Sequence, residues 1–305
     1  MTLLSATGPG SGPARPLRVA GVLPRLDAVP PPLLMLLGMV STQLGAAAAK
    51  QLLGPAGPAG LTLLRLLLAA LALAVLAAPA LRAMRWPTWR QAVLIAAFGL
   101  AMGGMNLTFY TALQYVPLGV AVPIGFVGPL VVALAGSRRY RDAAWALLAA
   151  GGVFLLSADL GGVALPRIGL LLSCVTAVCW GAYIVLGGRL TVEVPGTGLA
   201  LGMCVAAVAV APLGLVDSGP ALLRPDILAV ALAVALLSSV VPYTLELAAL
   251  RRIPAATFAV LLSLEPALAA AIGYAVLDER LAPLQLAGVV GIVVASIAVT
   301  RSSAR

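Results

Sequence analysis

The chain has 305 residues, 62% hydrophobic and 10% charged, more apolar surface than a water-soluble domain of that size buries, so its main solvent is lipid. It contains no histidine, which excludes most zinc sites, Ser-His-Asp triads and histidine proton relays. The formal net charge of +9 takes its meaning from where the basic residues fall along the chain.

Residues 1–30 are rich in Pro, Gly, Ser and Ala and carry Arg15, Arg18 and Arg25. Without an apolar core long enough for a signal peptide, they read as a flexible cytoplasmic tail. Ten apolar segments follow, cut at Pro, Gly and charge clusters: 31–50, 58–79, 91–113, 117–136, 143–158, 167–188, 197–216, 227–248, 254–277 and 281–300. Each is near the length a spanning helix needs. The pattern predicts an all-α membrane protein of ten transmembrane helices, divided into a first unit over 31–158 and a second over 167–300.

The first segment holds Gln43 at mid-span. The second holds Arg65, about seven residues or roughly 10 Å from its start, the one arginine well inside the core. Its guanidinium suits a bidentate clamp on a substrate carboxylate, a salt bridge between helices, or outward snorkelling. The third segment carries Asn106 and Tyr110 at i, i+4, with Gly99 and Gly103 as a small-xxx-small pair suited to helix packing. In the fourth, Pro129 leaves the carbonyl of Gly125 without its helical donor. Trp180 and Tyr183 stand at i, i+3 on the sixth, and Tyr243 lies in the eighth. Each of these polar and aromatic groups serves either as interhelical glue or as a substrate contact. Glu246, near Arg251 and Arg252, reads as a gate or structural ion pair. The three cysteines, Cys174, Cys179 and Cys204, lack metal-like spacing and read as packing residues.

The ninth segment contains LLSLEPALAA, residues 261–270. Glu265 there is about 11 residues, or roughly 16 Å, from the segment's start, close to the bilayer centre. A carboxylate facing lipid at that depth is prohibitive, whereas one facing a hydrated cavity is tolerable; the reading here is a functional acid, and the alternative is a structural carboxylate hydrogen-bonded to a neighbouring helix. Desolvation favours its neutral form, so Glu265 is the candidate for proton coupling. Pro266 removes the donor for the Leu262 carbonyl and should kink the helix, and freed carbonyls at membrane depth must line a cavity or find a partner.

Orientation follows from charge. With the amino terminus inside, fourteen basic residues flank the inner helix ends, among them Arg82, Arg85, Arg90, Arg138, Arg139, Arg141, Arg189, Arg251 and Arg252. The outer ends have only Lys50, Arg167, Arg224 and Arg280. The bias predicts both termini in the cytoplasm and accounts for the net charge without nucleic acid. Sliding the chain by 137 residues brings Pro117 onto Pro254, Pro129 onto Pro266 and Asn106 onto Tyr243. Two five-helix copies with opposite orientation are the arrangement of alternating-access transporters, with the substrate near midplane between them.

The runs LRLLLAALAL (64–73), NLTFYTALQYVPLGVAV (106–122), FVGPLVVALAGSRR (126–139), VPYTLELAALRRIPAATFAVLLSLEPALAA (241–270) and LAPLQLAGVVGIVVAS (281–296) carry a family likeness. On these the chain resembles the drug/metabolite transporter superfamily, EamA-type, in its threonine and homoserine exporter branch. The resemblance implies two inverted five-helix repeats and proton-driven export of small amino acids or related metabolites from the plasma (inner) membrane. It also implies a monomer or weak homodimer. Relatives of that type carry a glutamate shortly before FxGP, where this chain has Gly125.

The reading is therefore a secondary transporter whose partners are a small-molecule substrate, protons and the bilayer, with no cofactor or metal. Arg65 would face a substrate carboxylate and Glu265 an ammonium or the coupled proton, with Gln43, Asn106, Tyr110, Trp180, Tyr183 and Tyr243 shaping the pocket. A multidrug exporter is the alternative, since such pockets rely on aromatic and apolar lining. Sugar-phosphate carriage would want more basic groups in the core than Arg65. An enzyme lacks HExxH and GxSxG motifs and a close acid pair. A noncatalytic helix bundle would have no need of paired prolines around a central acid.

Overall fold

The computed structural model describes residues 29–51, 53–84, 86–135, 142–157, 165–195, 197–242, 245, 249, 252 and 261–303. Most of these are helical, with no strand among them. The long helices are α1 (Pro31–Gln51), α2 (Pro58–Leu76), α3 (Trp89–Ala112), α4 (Leu118–Ala135) and α5 (Asp142–Ser157) in the first half. The second half has α6 (Arg167–Glu193), α7 (Gly198–Ser218), α8 (Pro225–Ala235), α9 (Glu265–Leu277) and α10 (Pro283–Ser303). Among the described residues, five helical stretches are long and apolar enough to cross a membrane, namely Pro31–Gln51, Pro58–Val75, Trp89–Ala112, Arg167–Leu190 and Gly198–Leu223. The others are apolar but shorter.

Local chemistry sets the helix ends. Proline occupies the first turn of α2, α8 and α9, where its missing N–H costs nothing. At α3, Thr88 and Gln91 form a reciprocal capping box: Thr88 Oγ1 accepts from the Gln91 N–H, and Gln91 Oε1 accepts from the Thr88 N–H.

Two segments depart from continuous α-helix. The eighth is α-helical only to Ala235 and passes into a π-helical turn, Leu236–Val240. Its irregular carbonyls are taken up by side chains: Ser41 Oγ donates to Leu237 O at 2.7 Å and Arg65 Nη2 to Ser238 O at 3.3 Å. The ninth is interrupted at Ser263–Leu264, and a separate helix begins at Glu265. Pro266 thus stands in the first turn of a new helix, which corrects the sequence expectation of a kink inside a continuous one. Pro129 does lie within its helix, together with Pro123.

The halves interleave. Helix α3 packs on α6 and α7, α2 on α7, α4 on α6 and α9, α1 on α9, and α5 on α10. Small residues permit the closest approach, since a Cβ at Gly99 would stand 2.6 Å from the carbonyl oxygen of Gly202 on α7. Large apolar side chains such as Val75, Leu147, Phe154, Val178 and Val216 point outward, a surface that water disfavours and lipid does not. Cys174 and Cys204, read as packing residues, are also exposed, and all three cysteines are free thiols.

One end of the bundle is tied by polar contacts between the halves. Lys50 Nζ lies 2.6 Å from Glu279 Oε1 and donates to Val116 O at 3.0 Å, while Glu279 Oε2 accepts from the Leu118 N–H at 2.7 Å. Nearby in the chain, Asp217 Oδ2 accepts from the Ala59 N–H at 3.0 Å, and Ser218 Oγ donates to Ala56 O. At the opposite helix ends, Gln91 Nε2 donates to Glu193 O at 2.8 Å and Arg252 Nη1 to Val29 O at 2.7 Å.

Candidate functional site

Between the halves lies a cavity of about 330 Å³. Its wall is drawn from both halves: Thr42, Gln43, Arg65, Asn106, Tyr110 and Pro129 from the first, and Thr176, Trp180, Tyr183, Ser238, Ser239 and Glu265 from the second.

Arg65 is fixed by neutral groups. Its Nη1 donates to Asn106 Oδ1 at 2.5 Å and to Tyr110 Oη at 2.9 Å, and its Cζ sits 5.5 Å from the Tyr110 ring centroid. Asn106 is itself oriented, because its Nδ2 donates to Met102 O at 2.9 Å, leaving its carbonyl for the guanidinium. Among the described residues no carboxylate lies within ion-pair distance of Arg65. A half-buried guanidinium whose partners among the described residues are all neutral keeps its charge available to an anion. The helix that holds it is positioned by α7, and Asn106 and Tyr110 share one face of α3 through their four-residue spacing.

Glu265 is buried, 8% exposed, at the first turn of α9. That place is favourable for a negative charge, because the unsatisfied N–H groups of a helix start carry the positive end of its dipole. Gln43 Nε2 donates to Glu265 Oε1 at 3.2 Å. Ahead of it, Ser263 Oγ accepts from Ser296 Oγ at 2.9 Å and anchors the interruption to α10.

The aromatic side of the wall is braced by ring contacts. Trp180 meets Phe126 edge-on at 5.7 Å between centroids, and Tyr183 packs on Phe98 at 5.1 Å. One turn before Trp180, Thr176 shares a hydrogen bond of 2.8 Å with Thr108 of α3.

Seven sequence-derived site residues therefore converge on one cavity: Gln43, Arg65, Asn106, Tyr110, Trp180, Tyr183 and Glu265. Tyr243 and Glu246 lie outside the described residues. Pro129 contributes to the wall, whereas Pro266 is buried and does not. Sequence reasoning passed over Thr42, Thr176, Ser238 and Ser239, and the methionines Met102, Met105 and Met203 that also line the wall. The adjacent serines at mid-segment were a legible signal; the methionines carry none in so apolar a chain. A Cβ at Gly125 would meet Thr176 and Trp180 at 3.6–3.7 Å, so a side chain there would point at the cavity wall. No group of three or more metal-ligating side chains occurs among the described residues.

Comparison with known proteins places these features in context. The model of the EamA-like transporter family matches residues 30–158 and again 167–301. The threonine/homoserine exporter RhtA of Salmonella typhimurium (strain LT2) is 42% identical over 213 residues, covering 69% of this chain and 72% of the relative. RhtA of Escherichia coli (strain K12) is 41% identical over the same shares. A crystal structure of a protein 23% identical to this chain superimposes with a TM-score of 0.56, covering 88% of this chain and 96% of the other, and so shares the fold.

Proposed function

The chain belongs to the EamA-like transporter family, a family of transporters and not of enzymes, and from that membership we propose that it exports a small hydroxylated amino acid of the threonine or homoserine kind, in exchange for protons. The observation that carries the proposal is the presence, in one cavity, of a guanidinium without a carboxylate partner among the described residues and of a buried carboxylate that lines the same space. An α-amino acid presents the complementary pair, a carboxylate for Arg65 and an ammonium for Glu265. The names of the relatives, threonine/homoserine exporters, support the same substrate class.

All ten helices cross the plasma (inner) membrane in this reading, as two inverted repeats, residues 31–158 and 167–300, with both termini in the cytoplasm. The packing supports such symmetry. On exchanging each helix with the one five later, α3–α6 answers α8–α1, α4–α6 answers α9–α1 and α3–α7 answers α8–α2, while α2–α7, α4–α9 and α5–α10 map onto themselves. The α4–α10 contact has no comparable α9–α5 partner among the described residues. The two halves rock about the cavity, which opens to one side at a time. By the positive-inside bias, the Lys50–Glu279 end is external. Glu265 takes up a proton when open outward, releases the ammonium, and loses the proton inward.

The test is uptake of radiolabelled threonine into inside-out vesicles bearing an acid-inside pH gradient. The proposal expects accumulation that collapses with the gradient and is competed by homoserine. Vesicles that accumulate no threonine above empty controls overturn it. The three wall methionines favour a second reading, a multidrug exporter, because thioethers repack around varied apolar ligands. Cells protected against dyes but not against toxic threonine analogues would decide for that second reading.

A further inference from the structure

Gln43 is 2% exposed, lies on the cavity wall, and donates its Nε2 to Glu265 Oε1. Its own Oε1 is the buried side-chain oxygen that finds no hydrogen-bond donor among the described residues. An unmet buried acceptor is costly, on the order of 1–3 kcal/mol, and a folded chain tolerates it where a ligand supplies the donor. The direction of the amide has a simple cause. An ionised carboxylate only accepts, so Gln43 must turn its NH2 towards Glu265 and its carbonyl away.

We infer that Gln43 converts the protonation state of Glu265 into a change in what the cavity offers the substrate. With Glu265 ionised, the Gln43 carbonyl is an acceptor for the substrate's ammonium, beside the carboxylate itself. With Glu265 protonated, the carboxyl O–H donates to Gln43 Oε1, the amide reverses, and an NH2 group faces the ammonium site. Like-signed donors then confront one another, and the ammonium is expelled. Gln43 is thus a positioning and specificity residue, and the ligand class it selects carries a cationic N–H donor. The other ionisable groups on the wall are Arg65, Tyr110 and Tyr183. Of the helices packed on α9, α1 brings Lys50, which is bound to Glu279; α4 has no ionisable side chain between Leu118 and Ala135; and α10 has Arg301, in its last turn.

This inference rests on the reading of the cavity as an amino-acid site, and its test separates the two. In proteoliposomes, radiolabelled threonine uptake is competed by unlabelled threonine and by its 2-hydroxy analogue, in which a hydroxyl replaces the ammonium, across a pH series. Wild type prefers the ammonium form, most strongly at high pH. Gln43→Met, close in volume but without the amide, is expected to lose that preference by roughly tenfold, the scale of one hydrogen bond to a charged group. Competition by the analogue stays within about twofold, since a neutral hydroxyl does not need that acceptor. Gln43→Glu keeps an acceptor and retains the preference to within about threefold, with a displaced pH profile because two neighbouring acids share a proton. If Gln43→Met fails to elute as a single folded species, Gln43→Asn, which withdraws the same amide by one methylene, is expected to show a smaller loss of the same kind. Unchanged preference and pH profile in a folded variant, with wild-type transport intact, overturn the role of Gln43 and leave the amino-acid reading standing. Absence of threonine uptake by wild type overturns both.

Discussion

At Arg65, one nitrogen serves both Asn106 and Tyr110 while a second reaches Ser238 O. A fork does this and a point charge cannot, so Arg65→Lys keeps the charge but loses the simultaneous contacts. Its apparent threonine affinity should fall at least about tenfold, or about 1.4 kcal/mol, with the protein still inserted. Equal affinity in the lysine variant would mean that the guanidinium geometry is irrelevant. Glycine positions separate packing from site in a similar way. Gly125→Ala adds a methyl at ordinary contact distance from Thr176 and Trp180, so thermal stability in detergent should hold to within about 0.5 kcal/mol. Gly99→Ala instead forces a methyl against the backbone of α7 and should destabilise by about 1–3 kcal/mol. Equal melting temperatures for the two variants would contradict the close α3–α7 approach.

At the scale of elements, the irregular pieces sit at the cavity: the π turn after α8 and the interruption before α9. Backbone of that kind is tolerated at membrane depth only where protein groups or a watered space receive its carbonyls, which Ser41 and Arg65 do here. The sequence showed where helices begin and end, because Pro, Gly and charges punctuate otherwise apolar runs. It also exposed Arg65, Asn106, Tyr110 and Glu265, since a polar group in such a run stands out by its cost. The π turn was not legible. Helices apolar on all sides give no periodic stripe from which a change of pitch could be read. The interruption at Ser263–Leu264 was inferred only as a proline kink, because Pro266 signals a lost donor without saying whether the helix bends or restarts. Contacts such as Lys50 with Glu279, or Gln43 with Glu265, join residues more than two hundred positions apart, and no local pattern encodes them.

For the whole molecule, the Lys50–Glu279 pair joins the ends of α1 and α9, with further bonds to the turn before α4. Breaking it should loosen that end. With the native cysteines replaced and Thr42→Cys placed on the cavity wall, an impermeant maleimide added from the outside should react at least about threefold faster when Glu279→Gln is also present. An unchanged rate would show that the pair does not restrain access. The central claim is that one chamber shared by the two halves couples a proton on Glu265 to the passage of an amino acid. Its most direct test is the Glu265→Gln variant in inside-out vesicles, compared with wild type for threonine accumulation under an acid-inside gradient and for exchange with preloaded threonine. With the variant folded and inserted, gradient-driven accumulation should be lost and exchange weakened, because the neutral side chain carries no proton and offers the ammonium no carboxylate; accumulation at the wild-type level would contradict the coupling role of Glu265.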